Sequence, residues 1–198
     1  VATKTITRVE TTSTLTPELV SLLLRLDHLC ELSVQLSDTT MFVLRFLVER
    51  MPQLRHLRTV FGSSYGNFQQ VLGDFAPSEK EVPLESLEMS VADDAFFEGL
   101  RFPALQRFTL RGPNATLADL AAVLPAMPTL RSLVCAGGFM HKSAQASAIA
   151  AAAAERTSEE LLVDINGCSE ATQQRLRPLF TAIAPHVTDL RVRSCPSL

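Results

Sequence analysis

VTDLRVRSCPSL, residues 187–198, carries apolar side chains at its first, fourth and sixth places, Val187, Leu190 and Val192, with Cys195 ninth and Leu198 twelfth. Sliding this spacing along the chain recovers it upstream. LCELSVQLS starts at Leu29, LRHLRTVFG at Leu54, LESLEMSVA at Leu84, LQRFTLRGP at Leu105 and LRSLVCAGG at Leu130. ELLVDINGC, starting at Glu160, keeps Val163, Ile165 and Cys168 but has an acidic residue in the first slot. The steps between starts are 25, 30, 21, 25, 30 and 27 residues. A weaker unit begins near Ile6, with Val9 in the fourth slot.

Each slot has a physical meaning. Alternate side chains of an extended segment share a face, so slots four and six point inward together and slots three, five and seven point outward. Slot nine holds Ser37, Gly62, Ala92, Pro113, Gly138, Cys168 and Cys195. All are small or compact, as a tight interior bend requires, because a large side chain would overpack it. The pattern over residues 29–198 resembles the leucine-rich repeat, L-x-x-L-x-L-x-x-N/C-x-L, whose period is roughly 20–29 residues. Cys168 and Cys195 in slot nine are similar to the cysteine-containing, ribonuclease-inhibitor-like subclass found in F-box leucine-rich repeat proteins. The resemblance implies an α/β solenoid of about seven to eight irregular repeats, with strands in a parallel concave sheet and helices on the convex back.

Helical spacing between the strands predicts helices over residues 17–26, 38–51, 68–75, 93–100, 117–124, 143–156 and 169–184. Thr16 stands ready as N-cap of the first, and Asp93 and Asp94 sit where the first turn of the fourth favours acids. ERMPQL, LRFPAL, PAMPTL and AIAPHV each place a proline ahead of the next strand, which ends a helix there. The stretch 65–83, with Gly66, Gly73 and Pro77, reads as a long loop between two units. The whole chain, 1–198, is expected to be a single domain.

Composition narrows the function. Hydrophobic residues make up 46% and charged residues 20% of the 198, which suits a globular chain with a real core. The formal charge of −3, the absence of Trp and a single Tyr argue against a surface devoted to nucleic acid. No apolar run reaches membrane-spanning length, so no membrane partner is expected. Because the chain opens at Val1 rather than Met, the absence of a leader segment carries no weight. Cys30, Cys135, Cys168 and Cys195 form no C-x-x-C and no His-paired metal spacing. They read as reduced, buried thiols of an intracellular, reducing compartment. No phosphate-binding, nucleophile-elbow or zinc-protease motif is present. No catalytic residue, cofactor or metal is therefore expected.

The outward slots remain as the candidate binding surface. Their charged members are Glu31, then His56 and Arg58, then Glu88, then Arg107 and Arg111, then Asp164, then Asp189, Arg191 and Arg193. The sign alternates along the array, which suits a protein partner better than a polyanion, because complementary charge steers and selects. His56, Arg58, Glu88, Arg107, Arg111, Asp164, Arg191 and Arg193 are the candidate partner-binding residues. The expected function is a non-enzymatic protein-interaction or scaffold module; the family resemblance implies substrate recognition for a ubiquitin ligase. A structural subunit of a large multiprotein or ribonucleoprotein assembly is the alternative. The closing unit supplies a strand without a following helix, so further repeats or another subunit are expected to cover that end.

Overall fold

The computed structural model describes residues 5–36, 41–61, 69–76, 78–90, 94–111, 124–136, 162–166 and 188–193. Within them the sequence alternation becomes strands. These are β1 (Arg8–Thr14), β2 (Glu31–Leu36), β3 (His56–Phe61), β4 (Lys80–Glu81), β5 (Ser86–Met89), β6 (Leu100–Arg101), β7 (Arg107–Arg111), β8 (Ser132–Ala136), β9 (Leu162–Asn166) and β10 (Asp189–Arg193). Four helices accompany them: α1 (Pro17–Leu23), α2 (Met41–Arg50), α3 (Gln69–Leu72) and α4 (Asp94–Phe97). The fold is α/β. Eight strands make one sheet in the order β1-β2-β3-β5-β7-β8-β9-β10, and every neighbouring pair is parallel.

The register aligns the sequence slots. Leu32, Leu57, Leu87, Phe108, Leu133, Val163 and Leu190 face one another in a row across the sheet, and Val9 joins them from β1. The first-slot leucines Leu29, Leu54, Leu84, Leu105 and Leu130 are fully buried. So are the fourth- and sixth-slot side chains from Leu32 to Leu110, with Thr59 the one polar member. A one-residue slip would turn this whole set to the opposite face, which is why the register is so strongly specified.

Backbone hydrogen bonds repeat with the same period. The carbonyls of Thr7, Cys30, Arg55, Glu85 and Gln106 each accept two N–H groups from the next unit, as when Cys30 O takes Arg55 N at 2.8 Å and His56 N at 3.0 Å. Just before the first slot, Leu29, Leu54, Leu105 and Leu130 each donate N–H to the carbonyl three residues back. Three of these turns have proline second, Pro52, Pro103 and Pro128, where its fixed φ favours a tight turn. Three of the prolines foreseen as helix stops thus build the entries to β3, β7 and β8, and the fourth, Pro185, lies outside the described residues.

Among the described residues the helices are shorter than the spacing predicts. Helix α1 starts on Thr16, whose Oγ1 accepts the Leu19 N–H at 3.3 Å, but it ends at Leu23 rather than residue 26. The helix expected over 93–100 stops at Phe97, because Gly99 takes φ +70° and a side chain there would press on Glu79. Leu100–Arg101 then pairs in parallel with Lys80–Glu81 as a second, two-stranded sheet. Within the stretch 65–83, α3 covers four residues of the helix expected over 68–75, and β4 adds a short strand to the part read as loop. Residues 124–126 form a 3-10 turn at the end of the helix expected over 117–124, the rest of which lies outside the described residues. The helices expected over 143–156 and 169–184, Cys168, Cys195 and the end of the closing unit also lie outside them. Cys30 is half-buried rather than buried, and its Sγ donates to the His28 carbonyl at 3.4 Å.

Helix α2 carries the polar centre of the core. Seven consecutive residues, 43–49, are buried, including Arg45 and Glu49 at 1% and 5% exposure. Arg45 Nε donates to Glu49 Oε1 at 2.7 Å. Its Nη1 donates to the carbonyls of Phe96, at 3.1 Å, and Glu98, and its Nη2 to that of Ser78 at 2.8 Å. Ser78 Oγ donates to Glu49 Oε2 at 2.9 Å, and Lys80 Nζ donates to the Glu49 carbonyl at the end of α2. One guanidinium so ties α2 to two later segments of chain.

Burial pushes the Glu49 carboxyl upward, but the hydrogen bonds from Arg45 and Ser78 and the Arg45 charge outweigh it and hold the group below the ordinary carboxylate value. A lowered value in the fold means that this carboxylate's stabilisation is complete above the ordinary carboxylate range. It is lost as pH falls through that range toward the lower folded value. The urea midpoint should therefore drop on acidification, and Glu49→Gln should drop less steeply over the same interval. Parallel pH profiles for the two proteins would remove Glu49 from the acid response.

Candidate interaction surface

The inward rows join the buried side chains of α1, α2 and α4 in one hydrophobic core, so these helices pack on one side of the large sheet. The other side carries slots three, five and seven. A parallel sheet is ordinarily covered on both faces. Here the described outward side chains are exposed or half-buried, with one exception. Thr109 has the outward phase of β7 yet is buried, because Glu88 and Val134 flank it in its row and Arg107 and Arg111 flank it on its strand.

The rows place the candidates relative to one another. Glu31, His56, Ser86, Arg107, Ser132, Leu162 and Asp189 form one row, and Ser33, Arg58, Glu88, Thr109, Val134, Asp164 and Arg191 the next. Arg111 aligns with Ala136, Asn166 and Arg193 in a third. Backbone register thus sets Asp164 beside Arg191 on adjacent strands.

The alternation of charge between strands is used inside the sheet. Arg58 Nε lies 3.4 Å and Arg111 Nε 2.9 Å from the same oxygen, Glu88 Oε1. Arg8 reaches Glu31 at 3.5 Å and Glu10 at 3.3 Å. Arg107 makes no ion pair or side-chain hydrogen bond among the described residues. Of these candidates, Arg58, Glu88 and Arg111 therefore form a triad centred on Glu88, with Arg107 a separate cation on the strand of Arg111. Exposed ion pairs of this sort add little to stability, which leaves these side chains free to serve recognition.

A shallow hollow of about 120 Å³ opens on this face, bordered by Arg8, Glu31, His56, Arg58, Ser86 and Glu88. Arg8 was missing from the residues picked out by sequence; Ile6 and Val9 in slots one and four were the signal that could have placed it. Among the described residues no group of three or more His, Cys, Asp or Glu could hold a metal ion, and no helix is long and apolar enough to cross a membrane. The chain matches no known family, no curated protein and no solved structure.

Proposed function

We propose that the chain is a leucine-rich repeat solenoid that works as a non-enzymatic interaction module, binding a protein partner through the outward face of its large sheet. One observation carries this reading: an eight-stranded, in-register parallel sheet has its described helices on one side and, over the described side chains, a charged, accessible face on the other. The recurring double acceptor at the second slot supports the repeat assignment, because the same backbone geometry recurs at every described step from Thr7 to Gln106. A face with both signs of charge selects a partner through complementarity rather than through a general field. Arginine is a favoured residue at binding hot spots, since it forms bidentate bonds and stacks. Recognition of substrates for a ubiquitin ligase is the form of this function that the family resemblance suggests.

The test is charge reversal on the sheet against a change on the helices. Arg107→Glu with Arg111→Glu should weaken partner binding by about 30-fold or more, the loss expected of hot-spot residues. The melting temperature should stay nearly unchanged, because both side chains are exposed. Leu22→Arg on α1, where Leu22 is 55% exposed, should leave binding intact. The opposite ranking would move the interaction to the helical side.

A further inference from the structure

We propose that Arg58 and Arg111 form a paired-fork site for the carboxylates of an acidic polypeptide segment. This rests on the outward face being the interaction surface and specifies the chemistry of its partner. Both guanidinium groups are held through Nε on Glu88 Oε1, at 3.4 Å and 2.9 Å. Among the described residues neither arginine donates a hydrogen bond through Nη1 or Nη2, each contacts Glu88 through Nε, and the side chains are 54% and 60% exposed. An arginine anchored by Nε still presents its two terminal nitrogens as a planar fork, which matches a carboxylate bidentately. Glu88, 24% exposed and in contact with both, orients the forks in advance and so reduces the ordering entropy that binding must supply.

Charge and spacing decide the occupant. One carboxylate against two guanidinium groups leaves the triad with a net positive charge, and Arg107 adds another on the strand of Arg111. Both Nε atoms contact the same Glu88 oxygen, so they stand no more than about 6.3 Å apart, close to the roughly 6.6 Å between alternate residues of an extended strand. That separation suits two acidic side chains of one extended segment rather than a single small anion. A nucleic acid fits less well. Glu31 interrupts the basic groups on one side, Val134 follows on the other, and among the described side chains this face offers no Phe, Tyr or Trp for bases to stack on.

The probe is a fluorescein-labelled octaglutamate peptide, followed by anisotropy at low ionic strength with the full chain. Saturable binding is expected, falling as salt is added. Arg58→Gln with Arg111→Gln should weaken it by at least about tenfold, the loss of two charge-assisted contacts. Arg58→Lys with Arg111→Lys keeps the charges but removes the forks, and should lose most of the affinity as well. Unchanged melting temperatures in both double variants show that neither effect comes from unfolding. Absence of octaglutamate binding overturns the proposal, as does wild-type affinity in the lysine variant. Tighter binding of an oligothymidylate through the same two arginines would also overturn it, making the site one for phosphates. If octaglutamate fails while charge reversal at Arg107 and Arg111 still abolishes binding of the protein partner, the paired-fork chemistry falls and the interaction surface stands. If neither has an effect, both fall.

Discussion

Arg45→Ala is expected to destabilise the fold by about 3–5 kcal/mol, the range for removing one partner of a buried ion pair. The substitution strands several groups at once. Glu49 keeps a carboxylate at 5% exposure and loses its 2.7 Å partner. The carbonyls of Ser78, Phe96 and Glu98 lose a donor. An unpaired buried polar group costs about 1–3 kcal/mol by itself, so even partial repair by water leaves a large effect. Set against a total stability of about 5–15 kcal/mol for a domain, the loss is a substantial fraction. Urea unfolding followed by circular dichroism measures it. The double variant Arg45→Met with Glu49→Leu should recover the part of the loss that comes from the stranded Glu49 carboxylate, because apolar residues of similar volume replace buried pairs well, while the three carbonyls stay without their donor. A single variant within about 1 kcal/mol of the parent would mean that solvent reaches the guanidinium after all, since surface substitutions are typically within about 0.5 kcal/mol.

The strands β2, β3, β5, β7 and β8 were legible because one face of each is buried. With one face in the core, a period of two fixes which residues point inward, and the leucine that opens each unit marks where the period starts. Leu29, Leu54, Leu84, Leu105 and Leu130 were all placed this way and all are buried. Outward residues followed automatically, so the outward phase of His56, Arg58, Glu88, Arg107 and Arg111 was legible in the sequence. What they do to one another was not. Whether Arg58 and Arg111 share Glu88 depends on which strands become neighbours and in which register, a tertiary fact that no spacing states.

The segments between strands were less legible for a related reason. Asp94–Phe97 begins a helix as its pattern requires, but Gly99 ends it, and Leu100 and Arg101 find ladder partners some twenty residues upstream at Lys80 and Glu81. Tertiary pairing overrode local propensity there. Arg45 was missed because a charged residue in a helix reads as its solvent side. The available signal was its setting: Val43, Leu44, Phe46, Leu47 and Val48 surround it and leave no polar face on which it could sit. A helix apolar all round is a buried helix, and an arginine within one needs acceptors brought from elsewhere. Those acceptors lie 33 to 53 residues away in the chain, where no local reading reaches them.

Phe108→Ala should rival the loss of Arg45, at about 3–5 kcal/mol. Phe108 occupies the fourth slot of β7 at 1% exposure, between Leu87 of β5 and Leu133 of β8 in the inward row. Its ring meets that of Phe97 edge to face, with centroids 6.0 Å apart, and Phe97 in turn meets Phe96 and Phe102. Such a ring pair adds about 0.5–1.5 kcal/mol beyond the area it buries. The cavity term should be near the upper part of its range, because collapse into the space is resisted from both sides. Leu87 and Leu133 belong to strands hydrogen-bonded to β7 and cannot close in without breaking ladder bonds. Phe97 closes the short helix α4, which Arg45 holds through the Phe96 and Glu98 carbonyls. Phe108→Leu keeps most of the volume and should cost less than about 1.5 kcal/mol, so the two variants together separate a cavity effect from a general intolerance of change on β7. The loss on Phe108→Ala should also shrink when Arg45 is already alanine, because α4 is then free to settle into the cavity; neighbouring substitutions of this kind couple by about 0.5–3 kcal/mol. Additive losses in the double variant would show instead that the sheet alone, and not the Arg45 tie, keeps the cavity open.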